Sequence, residues 1–171
     1  YIRSMSSRGA QGGLARASRE VLRIFDACGC DVVLVETVGV GQVELDVMHG
    51  ADTVALLLTP GSGDMVQALK AGIMEVADLF VINKADLPGA HQLAQEVEAM
   101  LNLREGNLPW RPPVVEVSSR ERRGIAQFWQ AAERHREFLQ LSGLGEERRR
   151  ERLRREVKEL AHHLISRRVW Q

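Results

Sequence analysis

The 171 residues carry 23 basic and 23 acidic side chains, a formal net charge of zero, so no overall charge draws the chain to nucleic acid or an anionic membrane. With 44% hydrophobic and 27% charged residues, the composition is that of a globular protein long enough for one domain with a sizeable core. No apolar run reaches the roughly 18 residues of a membrane span, and Cys28 and Cys30, one residue apart with no histidine nearby, predict buried free thiols in a reducing cytosol rather than a zinc site or a disulfide framework.

In chain order, Tyr1-Ile2-Arg3 reads as the middle of a strand without an initiator Met, the mark of a fragment. A loop rich in serine, arginine and glycine follows, through Gly12-Gly13. Leu14, Val21, Leu22, Phe25 and Cys28 recur at helical spacing, and Gly29 is a natural stop. Val32, Val33, Leu34 and Val35 then predict a strand buried on both faces, of the kind found inside a parallel sheet. It ends at a carboxylate, Glu36, followed by Thr37, Gly39 and Gly41, where open α/β sheets bind ligands and glycines let the backbone approach an anionic group.

Further strands are predicted over residues 53–59, 79–82 and 114–117. A helix carrying Val66, Leu69, Ile73, Val76 and Ala77 and another from about His91 to Leu103 separate them. This alternation predicts an α/β fold, a mostly parallel sheet flanked by helices. Past Gly124 the pattern is helical: Phe128, Trp129, Ala132 and Phe138 would dock one helix, and Gly143 and Gly145 mark a joint. A charged helix follows, with Leu153, Val157, Leu160 and Leu164 on a short heptad-like seam that reads either as a contact with its own domain or as a subunit contact. Glutamates interleave Arg148-Arg149-Arg150, which favours an ion-paired helix face over nucleic-acid binding. We divide the chain into residues 1–141 and a helical extension over residues 142–171.

The chemistry concentrates at strand ends. Asn83-Lys84-Ala85-Asp86, directly after a buried strand, matches the guanine-specificity motif of G proteins. There an aspartate accepts hydrogen bonds from the ring N1–H and the exocyclic amine of guanine, a donor pair that adenine lacks. Ser118-Ser119, after the next strand, occupies the place of the loop whose backbone N–H groups meet the guanine carbonyl. With these elements in order, the chain resembles the MeaB/ArgK-like GTPases associated with methylmalonyl-CoA mutase. The likeness runs from Ile2-Arg3-Ser4 and Gly12-Gly13-Leu14-Ala15 through Glu36-Thr37-Val38-Gly39-Val40-Gly41-Gln42. It continues over Pro60-Gly61-Ser62-Gly63-Asp64, Gln67 and Lys70 to Asn83-Lys84-Ala85-Asp86.

The resemblance implies a P-loop NTPase-type fold that binds GTP or GDP with Mg²⁺. Glu36 would take the Walker-B place and hold the Mg²⁺ through water. Gly39 to about Asp46 would be a switch, with Gln42 a candidate for positioning the attacking water. Asp64, Gln67 and Lys70 would belong to a second mobile element that responds to the client. It further implies a cytoplasmic homodimer that hydrolyses GTP while chaperoning a cobalamin-dependent acyl-CoA mutase, gating cofactor loading and protecting the enzyme; older descriptions of the family speak of amino-acid transport. No Gly-x-x-x-x-Gly-Lys-Ser/Thr loop occurs in these residues, and the switch that follows it in the family is missing too, so the expectation is a G domain lacking its N-terminal part that alone binds nucleotide poorly and does not hydrolyse it. Two rivals remain. A nickel-insertion GTPase would want a metal motif that His49, His91, His135, His162 and His163 do not form with Cys28 or Cys30. A degenerate G domain would serve only for dimerisation or docking.

Overall fold

Strand β2 (Leu79–Asn83) is central: β1 (Ala55–Leu58) lies along one edge and β3 (Val114–Val117) along the other, both parallel to it. A computed structural model describes residues 1–5, 13–37, 50–63, 73–103 and 109–169. In register, Leu58 sits beside Ile82 and Asn83 beside Val117, so the carboxyl ends of all three strands open on one edge. Leu79, Phe80, Val81 and Ile82 are buried, as the continuous apolar run requires. Phe80 and Ile82 join Leu56 and Leu58 in a core closed by Ala90, Ala94, Val97 and Leu101. Those four residues step by four, three and four along one helix, α3 (Ala90–Asn102), and so form a single stripe. Burying each large side chain contributes about 1.5–3 kcal/mol. The other helices are α1 (Gly13–Ala27), the short α2 (Ile73–Val76), α4 (Ile125–Ser142) and α5 (Leu144–Val169).

The amino-terminal edge of the sheet is closed by a polar node. Asp78, just before β2, accepts from the Val54 N–H at 2.9 Å and from both terminal nitrogens of Arg148 on α5 at 3.1 and 3.2 Å. His135 of α4 is fully buried, with Nε2 3.3 Å from the same carboxylate oxygen. That approach is too poorly aligned to be a hydrogen bond. The tautomer assigned from these neighbours puts the proton on Nε2, so that Nδ1 accepts from the Thr53 hydroxyl at 2.8 Å. Trp110 lies tilted against His135, ring centroids 4.8 Å apart, and donates its ring N–H to the Asp78 carbonyl at 2.8 Å. Burial opposes ionisation of Asp78, but His135, the Val54 N–H and Arg148 outweigh it and hold the carboxyl below its ordinary range.

Helix α5 is fastened by charge. Arg149 and Arg152 pair with Asp52, Arg152 also donates to the Gly50 carbonyl, and Glu156 and Glu159 pair with Arg19 and Arg23 of α1. Arg148 and Arg149 are ion-paired, with Asp78 and Asp52 rather than with the interleaved glutamates. Along the seam, Leu153, Val157, Leu160 and Leu164 are each about half exposed.

Three other expectations are corrected. Residues 32–35 form no strand: Val32, Leu34 and Val35 are exposed, and the sheet among the described residues has three strands instead of four. An apolar run becomes a strand only when neighbours take its N–H and C=O groups and a layer covers its side chains, and the described residues offer neither; Tyr1 and Ile2 are exposed for the same reason. Cys28 and Cys30 are exposed because α1 ends at Ala27 and the turn at Gly29 (φ 76°) carries them past it. On α4 the buried face is Ala131, His135 and Leu139, while Trp129 is turned outward. Residues 66 and 69 of the helix expected after β1 lie outside the described residues.

Replacing Asp78 with Asn should destabilise the fold by about 3 kcal/mol in urea unfolding, because His135 and Arg148 lose the charge they face. The folded pKa of Asp78 lies below the unfolded value, so its contribution is present above about pH 4 and lost as pH falls through the folded value. Asp78→Asn should therefore lose less stability on acidification than the wild type, as read by unfolding curves between pH 6 and pH 2.

Candidate nucleotide-binding site

At the carboxyl edge of the sheet, the loops after β2 and β3 form a pocket of about 360 Å³ lined by Asn83, Lys84, Asp86, Leu87, Ser119 and Arg120. The sequence-predicted residues Asn83, Lys84, Asp86, Ser118 and Ser119 are thus brought together: four line the pocket, and Ser118, fully buried, stands behind it.

The local folding follows from the residues. Asn83 ends β2, and its side-chain oxygen accepts the Lys84 N–H at 2.8 Å. Lys84 takes a left-handed conformation (φ 55°), a cost of order 1 kcal/mol that the Asn83 bond offsets. The Ala85 N–H continues toward β3, donating to the Val117 carbonyl at 3.0 Å, and the Leu87 N–H closes a turn on the Lys84 carbonyl. Asp86 leaves this turn with Oδ1 accepting from the Ser118 hydroxyl at 2.6 Å and Oδ2 4.0 Å from the exposed Arg120 guanidinium. The Ser118 hydroxyl, the loop amide of Asp86 and the nearby charges of Arg120 and Arg123 lower the Asp86 pKa, so the carboxylate is ionised at neutral pH.

On the other side, Ser118 and Arg123 pair their backbones in an isolated bridge at 3.0 Å both ways, closing a loop that includes Arg120. The loop turns back at Gly124 (φ 80°), where a Cβ would lie 2.0 Å from the Glu116 carbonyl oxygen; only glycine fits. Sequence reasoning missed Leu87, Arg120 and Arg123. It expected the serines to act through backbone amides, whereas the Ser118 side chain holds the aspartate. The glycine six residues after Ser118 was the available signal of a tight loop.

Glu36 is exposed at the end of the extended segment and is not among the pocket-lining residues. Gly39, Gln42, Asp64, Gln67 and Lys70 lie outside the described residues. A Mg²⁺ bound with a nucleotide takes only one or two protein carboxylates, the rest of its shell coming from phosphates and water. Among the described residues no group of three or more acidic, histidine or cysteine side chains could hold a metal, and Glu36 would be a single carboxylate ligand to such an ion. What the pocket can do is present an ionised carboxylate, with one oxygen already oriented, to the donor edge of a flat ring lying against the stems of Lys84, Leu87 and Arg120.

Comparison with known proteins agrees with this chemistry. A Pyrococcus abyssi protein that carries a provisional GTPase name is 49% identical over 172 residues, 99% of this chain and 53% of the relative. The GTPase ArgK of Escherichia coli is 38% identical over 97% of this chain and 53% of its own length. The mouse methylmalonic aciduria type A homolog, mitochondrial, is 41% identical over 75% of this chain and 32% of its own length. The chain spans about half the length of the Pyrococcus abyssi and Escherichia coli relatives. The profile of the family described as methylmalonyl Co-A mutase-associated GTPase MeaB matches residues 1–171, and the chain belongs to that family.

Proposed function

We propose that the intact protein binds and hydrolyses GTP, and that the pocket at the ends of β2 and β3 holds the guanine. The observation that carries this reading is the ionised Asp86 carboxylate, braced by Ser118 and facing a pocket lined by Lys84, Leu87, Ser119 and Arg120. Asp86 accepts from the base N1–H and amine; a ring with an acceptor in place of the N1–H leaves the carboxylate unpaired and is rejected. The family name supports a methylmalonyl-CoA mutase-type enzyme as client. On this reading the protein is a cytoplasmic GTP-driven chaperone of a cobalamin-dependent acyl-CoA mutase, gating cofactor loading and protecting the enzyme. Among the described residues no helix is long and apolar enough to cross a membrane.

The roles of the remaining residues rest on the resemblance. Glu36 would hold Mg²⁺, which neutralises phosphate charge when bound. Gly39 and Gln42 would serve the switch and the attacking water, and Asp64, Gln67 and Lys70 the client-responsive loop. No phosphate-loop motif occurs in the sequence, so residues 1–171 alone are proposed to turn over no GTP. Residues 1–141 would form the nucleotide part and residues 142–171 the arm of a homodimer. The half-exposed row Leu153, Val157, Leu160 and Leu164 supports that arm, since charge fastens the helix and leaves this row open.

Three outcomes test the proposal. In the intact protein Asp86→Asn should raise the Kd for GDP by about 100-fold or more. The same variant should gain xanthosine diphosphate binding, because an amide donates to the xanthine carbonyl where a carboxylate cannot; calorimetry with both nucleotides reads the swap, and unchanged GDP binding sinks the assignment. A phosphate-release assay on residues 1–171 should stay at background while the intact protein turns over. Light scattering should give a dimer for the intact protein and a monomer for Leu160→Glu, which buries a charge in the proposed seam.

A further inference from the structure

We infer that Arg123 is a positioning residue for base recognition, setting the angle at which Asp86 meets the purine; the inference rests on the proposed guanine site. Ala85 is tethered at both of its backbone groups by the segment around β3. Its N–H donates to the Val117 carbonyl, and its carbonyl accepts from the Arg123 guanidinium, each at 3.0 Å. The second tether fixes the peptide plane from which Asp86 springs. Arg123 is itself held, because its backbone N–H and C=O both pair with Ser118, the residue whose hydroxyl orients the Asp86 carboxylate. The recognition carboxylate and the loop bearing Ser119 and Arg120 therefore share one rigid support, and the guanidinium closes it. Arg123 does not line the pocket, and its side chain is more than half exposed, with Glu121 its nearest acid at 3.6 Å. Its removal should leave the core untouched while releasing the Ala85 carbonyl.

Guanosine and inosine diphosphates, which differ by the exocyclic amine, separate positioning from general loosening. In the intact protein Arg123→Ala should raise the Kd for GDP about tenfold, the worth of one hydrogen bond of ordinary strength. The Kd for inosine diphosphate should rise less, so that the preference for GDP shrinks. Arg123→Lys, which keeps a donor, should recover most of that preference, and kcat at saturating GTP should be unchanged in both variants. An unaltered preference in Arg123→Ala overturns the inference, and so does an equal loss for both nucleotides, which is ordinary loop destabilisation. If the wild type prefers GDP to ADP and Asp86→Ala removes binding while Arg123→Ala behaves as wild type, this inference falls alone. If the wild type does not prefer GDP to ADP, the guanine site falls and takes the inference with it.

Discussion

Among the described residues, strand β2 is the one element with a strand on each side and cover on both faces, and the placement of its neighbours follows from it. It begins after one aspartate and ends three residues before another. Asp78 and Asp86 are the same chemical group with opposite fates, and surroundings decide which. Asp78 is enclosed by His135, Arg148 and the Val54 N–H, so its charge is consumed in joining α4, α5 and the sheet. Asp86 receives one aligned neutral donor and a distant, exposed arginine, so it keeps accepting capacity for a ligand. Parallel strands make this division possible, because every amino end lies on one edge and every carboxyl end on the other.

Much of this organisation was legible in the sequence. The strands over residues 79–82 and 114–117 and the helix after Pro88-Gly89 stand where periodicity put them, because their apolar pattern is satisfied by neighbours within the described residues. The tetrad Asn83-Lys84-Ala85-Asp86 and Ser118-Ser119 converge because parallel register carries them to one edge. Residues 32–35 show the limit. Their pattern predicts burial, but burial needs partners, and a pattern cannot say whether partners are present. Trp129 failed for a related reason: helical spacing defines a stripe, and the stripe centred on Ala131, His135 and Leu139 won because His135 reaches Thr53 and Asp78.

Cross-chain contacts between polar residues were the least legible part. Nothing in the string Arg148-Arg149-Arg150 says that its partners are Asp78 and Asp52, about 70 and 100 positions away. Charge pairing has no period, unlike apolar burial. Arg123 and Gly124 were missed on the same grounds, since a guanidinium on a distant carbonyl and a carbonyl crowding a glycine are both products of tertiary approach.

The two faces of α5 divide the work of holding and presenting. A helix fastened by apolar contacts would have spent Leu153, Val157, Leu160 and Leu164 on its own domain. Ion pairs to Asp52, Asp78 and the arginines of α1 do the fastening instead. Pairs near the surface are each worth under about 1 kcal/mol, and Arg148 differs from the other arginines of these pairs in that its partner, Asp78, is buried. That contact also joins α5 to the node at the start of β2, the strand whose far end bears Asp86.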